Sequence, residues 1–132
     1  GAVGFRFAVC PLMAERTRQD LCARALRFSI AVGAFHRVAS PRGPTIAHAA
    51  MQLNRSATGI GASLEEGQVS KTRGDMAAKY AIALREAREA LYWLKLLREE
   101  PALTRDASEL AQEAGEFVAM LTVSVRKLRN AR

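Results

Sequence analysis

Residues 76–97 read MAAKYAIALREAREALYWLKLL, and their spacing decides the fold. Met76, Tyr80, Ala83, Ala87, Ala90, Leu94 and Leu97 recur at steps of four and three, which draws one apolar stripe along an α-helix. Ala77, Leu84 and Leu91 widen the stripe. Asp75 with Lys79, Arg85 with Glu89, and Lys95 with Glu99 stand four apart, where ion pairs each add about 0.2–0.5 kcal/mol to a helix. Pro101 stops the run, because proline lacks the N–H that a helix interior needs.

Three more segments carry the same period. Upstream, Leu21, Ala25, Phe28, Val32, Phe35 and Ala39 form one stripe, with Arg16, Arg27 and Arg37 on the opposite side of the wheel. Ser40-Pro41-Arg42-Gly43-Pro44 breaks it, and Pro44 suits the first turn of the next helix. There Ile46, Ala50, Leu53, Ala57, Ile60 and Leu64 repeat the pattern. Beside them run the small or polar Gln52, Ser56, Gly59 and Ser63. A glycine inside a helix costs about 1 kcal/mol relative to alanine, so Ser56, Gly59 and Ser63 are expected where another helix or subunit packs closely. The break falls at 67–70, with Ser70 expected as N-cap of the third helix. Downstream, Leu103, Ala107, Leu110, Ala114, Phe117, Leu121 and Leu128 share a face. Early acids and late bases on that segment complement the helix dipole. Four amphipathic helices of roughly 20–28 residues joined by short turns make an all-α, up-down-up-down antiparallel four-helix bundle.

The chain of 132 residues is sized for one domain, expected over residues 13–132. Residues 1–12 stand outside the helical pattern and read as a poorly ordered leader or cloning remnant, with Met13 the more natural start. Two cysteines, Cys10 and Cys22, cannot form a disulfide scaffold and suggest a reducing, cytoplasmic setting. The most apolar run, Phe28 to Phe35, falls far short of the ~20 residues that cross a bilayer, so no membrane partner is expected.

The net charge of +7 is unevenly spread. Residues 1–64 hold eight arginines against two acids, whereas residues 65–132 hold 12 basic and 11 acidic residues. A one-signed, arginine-rich field attracts polyanions, and guanidinium forks match phosphate. Arg16, Arg27, Arg37, Arg42 and Arg55 are therefore the candidate nucleic-acid-binding residues.

Catalytic chemistry finds no foothold. A di-iron bundle needs Glu-x-x-His pairs, but Gly33 and Thr45 stand three before His36 and His48. Cys22 lies beside the apolar stripe and reads as core. Glu65 and Glu66 point about 100° apart on a helix and cannot form a dyad. Residues 59–64 begin like a dinucleotide fingerprint, yet no strand precedes them. No catalytic residue, cofactor or metal is assigned, and the protein is expected not to be an enzyme. Tyr92 and Trp93 read as caps on the core or an oligomer contact in preference to a base-stacking platform.

Residues 52–67, QLNRSATGIGASLEEG, resemble the signature of the bacterial four helix bundle protein family, encoded within intervening sequences of 23S ribosomal RNA genes. Glu66 and Gly67 match the family's turn, and Ser63 stands where asparagine is usual. Residues 70–76 and 82–94 are similar to one branch of it. The likeness follows helix order over about 14–130 and is motif-specific across 52–97. It implies a small antiparallel bundle that assembles into rings, commonly pentamers, with no catalytic activity. It also implies distant kinship with accessory proteins of diversity-generating retroelements, which bind nucleic acid and a reverse transcriptase. The expected function is therefore a non-enzymatic, ring-forming, homo-oligomeric bundle that binds RNA, or secondarily DNA, through phosphate contacts. The alternative is an interaction module whose arginines meet acidic surfaces of neighbouring subunits or a protein partner.

Overall fold

A computed structural model of the protein describes residues 18–130, with side chains described from Leu21 onward. The expectations for residues 1–12 and for Arg16 lie outside these residues. Four helices follow in order: α1 (Arg18–Ala39), α2 (Pro44–Gln68), α3 (Arg73–Leu97) and α4 (Thr104–Asn130). Single 3₁₀ turns, Ser40–Arg42 and Pro101–Leu103, precede α2 and α4. No strand occurs among the described residues.

The helix ends follow local chemistry. Ser40 Oγ donates to the His36 carbonyl at 2.7 Å as α1 closes, and Pro41 opens the 3₁₀ turn. Gly43 then takes φ 120°, a backbone conformation that side chains disfavour, and hands the chain to Pro44. The third helix starts later than its sequence suggests. Ser70 does not cap it; its hydroxyl donates back to the Glu66 carbonyl at 3.2 Å. Thr72 caps instead, accepting from the Asp75 N–H at 3.0 Å. Ser70 satisfies the outgoing helix because α2 runs on to Gln68, two residues into the expected 67–70 break.

Cross-helix partners give the directions. Along α2 to α3, Ser56 meets Glu89, Gly59 meets Glu86 and Gly67 meets Tyr80, so rising numbers on one meet falling numbers on the other. Ala25 against Gly61 and Ser29 Oγ donating to the Ala57 carbonyl show the same antiparallel relation between α1 and α2. The four apolar stripes converge on one core: Phe28, Phe35, Leu53, Ile60, Leu94, Leu110, Phe117 and Leu121 are fully enclosed. Phe28 and Phe117 meet at 5.6 Å across the α1–α4 seam.

That seam also holds a buried ion pair. Arg24 Nε and Nη2 donate to the two oxygens of Glu113 at 2.7 and 2.8 Å. Glu113 is 4% exposed and Arg24 13%. Glu116 approaches the same guanidinium at 3.8 Å, and the Phe117 ring lies 5.7 Å from its carbon. The planar fork suits this two-point contact, which a lysine could not reproduce.

Gly67, Gly115 and Glu113 each generate a stability prediction. Alanine at Gly67 would place its Cβ 2.7 Å from the Tyr80 ring, so Gly67→Ala should destabilise by about 1–3 kcal/mol in urea unfolding. Gly115 has nothing within 4 Å, and Gly115→Ala should stabilise by up to ~1 kcal/mol. At the seam, Glu113→Ala removes the nearest carboxylate from a largely buried guanidinium and should destabilise by about 1–3 kcal/mol. Adding Arg24→Met to Glu113→Leu should recover part of that loss. A double variant no better than the worse single one would mean that loss of the charge partner is not the cause.

Candidate nucleic-acid interface

The small-residue stripe of α2 is the place to start, because it sets how near α3 comes. Ser56 is buried, and its single hydroxyl hydrogen is shared between the Gln52 carbonyl at 3.0 Å and Glu89 Oε1 at 3.3 Å. A Cβ on Gly59 would sit 3.0 Å from Glu86 Cδ, so hydrogen there makes room for the Glu86 side chain. Ser63, the third member, is half-buried. At Ser56 and Gly59 the helix that approaches is α3 of the same chain.

Above this contact the two helices leave an open groove of about 360 Å³. Gln52 and Arg55 line it from α2, and Arg85, Arg88, Glu89, Tyr92 and Trp93 from α3. The α3 residues recur at three- and four-residue steps and so share the flank that faces α2. Arg55, Arg85 and Arg88 are exposed. Arg55 donates to Gln52 Oε1 at 3.2 Å. Arg85 and Arg88 make no ion pair within 4.0 Å among the described residues, so the expected Arg85–Glu89 pair is not closed. Glu89 is turned instead toward Ser56. Nor do Asp75–Lys79 and Lys95–Glu99 close, in keeping with the small energy of exposed pairs.

The two aromatics of the pair differ in burial. Trp93 is half-buried and packs partly on the core, as a cap would, but Tyr92 is 58% exposed. Their rings meet at 5.0 Å and 77°. His48 of α2, itself exposed, braces Trp93 from the other side, edge-on at 5.8 Å.

The remaining candidates are dispersed. Arg27 and Arg37 are exposed on α1. Arg42 lies 3.5 Å from Glu100, joining the two inter-helix turns at one end of the bundle. Arg55 alone among the sequence candidates lines the groove. Arg85 and Arg88 escaped notice because acids elsewhere in the second half cancel them in a charge count by halves. The signal that finds them is register: once α2 and α3 run antiparallel, Arg55 must face the segment around Arg85 to Glu89.

Glu86, packed against Gly59 at the α2–α3 contact, has Glu89 as a neighbour. Burial raises the Glu86 pKa above its ordinary value, and the like charge and hydrogen bond of Glu89 push it the same way, while Arg85 and Arg55 pull it down. The Cys22 thiol is likewise raised, first by burial and then by Glu65. That suits an inert core thiol. No cluster of three or more metal-ligating side chains occurs among the described residues. No helix there is long and apolar enough to cross a membrane.

Comparison with known proteins places these features. The model of the 23S rRNA-intervening sequence protein family matches residues 23–123. A crystal structure of a protein of unknown function from the S23 ribosomal protein family of Bacteroides thetaiotaomicron superposes with a TM-score of 0.72 at 26% identity. The match covers 83% of this chain and 97% of that one. Among curated proteins there is no match.

The Glu86 environment generates a pH prediction. A carboxyl whose pKa is raised on folding stabilises the fold while protonated, and that contribution is lost as pH rises through the folded pKa. Glu86→Gln should therefore raise the melting temperature near neutral pH and have little effect below about pH 4. An equal shift at both pH values would mean that the charge is not the cause.

Proposed function

The chain belongs to the 23S rRNA-intervening sequence protein family, and from that premise we propose that it is a non-enzymatic, cytoplasmic protein that binds nucleic acid, RNA before DNA, through its phosphates. The observation that carries this reading is the α2–α3 groove. Three exposed guanidiniums, Arg55, Arg85 and Arg88, gather there, and the last two have no ion-pair partner among the described residues. Arginines without protein partners keep their donors for an anion, and a +7 chain draws a polyanion toward them. Arg27 and Arg37 extend the exposed basic surface along α1. Arg24 lies in the seam with Glu113 and takes no part.

A second reading concerns assembly and rests on a different face. Leu26 and Ile30, one turn apart on α1, are 60% and 65% exposed. On this reading they bury against further copies of the chain in a ring-shaped homo-oligomer, pentameric by family resemblance, and the arginines face acidic subunit or partner surfaces.

Labelled RNA titrated by fluorescence anisotropy at several salt concentrations tests both readings. Affinity should fall steeply with salt as condensed counterions are released. Arg55→Ala and Arg88→Ala should each flatten the log–log slope by about one unit and weaken all sequences alike. The same expectation attaches to Arg27→Ala and Arg37→Ala, with bundle stability nearly unchanged. If these variants bind RNA as the parent does while light scattering shows that they or Leu26→Asp break an oligomer, the assembly reading replaces phosphate binding.

A further inference from the structure

The groove holds more than a phosphate needs. Three guanidiniums alone would serve a backbone, yet this site also carries an aromatic corner and one carboxylate, arranged in order. Arg85, Glu89 and Trp93 stand at successive four-residue steps on α3, with Arg88 and Tyr92 in a parallel row beside them. From Arg85 to Trp93 the helix rises ~12 Å at 1.5 Å per residue. The cationic end and the aromatic end are thus about one to two nucleotides apart.

Each feature has a counterpart in an unpaired nucleotide. Tyr92 is 58% exposed, so its ring is open to a ligand. Its ring and that of Trp93 meet at 77°, so a flat group lying on one face touches the edge of the other. His48 holds Trp93 from α2, which fixes the corner before any ligand arrives. Glu89 would repel a phosphate, but it accepts from amino groups on a base edge. The volume of about 360 Å³ lies at the small end of ligand sites, enough for one nucleotide-sized group.

We propose that the α2–α3 groove is a single-strand nucleic-acid site, in which one unstacked base lies against Tyr92 and Trp93 while Arg55, Arg85 and Arg88 hold the adjoining phosphates. This rests on the phosphate-binding reading above and narrows it from any polyanion to a strand whose bases are free. A duplex keeps both faces of each base stacked and offers nothing to the aromatic corner. An acidic peptide would satisfy the arginines and leave the corner empty. RNA and single-stranded DNA share the chemistry required.

Trp93 is the sole tryptophan of the sequence, so its emission reports the groove directly. The full chain is titrated with four labelled probes of equal length: single-stranded RNA, single-stranded DNA, an abasic phosphodiester strand and a duplex. Anisotropy gives binding and tryptophan emission gives stacking. Both single strands should quench Trp93 along the same curve as their anisotropy, and the tighter of the two identifies the strand preferred. The duplex should bind without quenching, and the abasic strand should bind about tenfold more weakly than its parent, also without quenching. Tyr92→Ala changes an exposed side chain and should weaken single strands about tenfold while moving duplex affinity less than twofold. Equal affinity for abasic and intact strands, or saturation without quenching, overturns the base site and leaves phosphate binding standing. Failure of every probe to bind overturns both.

Discussion

The close approach of α2 and α3 is the constraint on which the rest of this structure depends. Three positions on α2 set it: Ser56 against Glu89, Gly59 against Glu86 and Gly67 against Tyr80. Where the small residue lies beneath the Tyr80 ring, even one methyl group would collide. Tyr80 is almost wholly enclosed, with Gln68 Nε2 donating to its hydroxyl at 2.6 Å, so the ring has no ready escape. This is close packing of the kind found in organic crystals, where shape decides as much as hydrophobicity. The antiparallel register of α2 and α3 brings Arg55 to the same groove as Arg85 and Arg88.

The opposite seam is held differently. Between α1 and α4 the Arg24–Glu113 fork supplements the contact of Phe28 with Phe117. Removing two charges from water costs as much as their attraction returns, so such a pair adds little net stability. What it adds is selectivity. A misregistered α4 would leave Glu113 or Arg24 buried without its partner, a far larger penalty. One seam is thus specified by sterics and the other by charge.

Charge has the reverse role at the groove. Burial and the neighbouring Glu89 carboxylate raise the pKa of Glu86, and Arg85 and Arg55 offset this in part. The groove thus couples a rigid helix–helix contact with an electrostatic surface that the contact itself organises.

Much of the fold was legible in the sequence. Steps of three and four residues in each segment identified the four helices and their inward faces, because apolar burial acts on every turn of a helix alike. Pro44 and Pro101 marked breaks through the backbone chemistry of proline alone. The N-cap of α3 was not so legible: Ser70 and Thr72 are both competent, and the choice followed from how far α2 ran before its carbonyls were satisfied. Gly59 announced a close neighbour without naming it, and the structure supplies Glu86. The candidate site was the least legible part. Arg55 was visible as a charge, but its companions Arg85 and Arg88 lie on another helix, and Tyr92 and Trp93 read in preference as core caps or an oligomer contact. Arg24 looked like any other arginine until Glu113, 89 residues away, was brought against it. Periodicity is a property of one helix and can be read along the chain, whereas a groove or a buried ion pair belongs to two helices and exists only once their register is set.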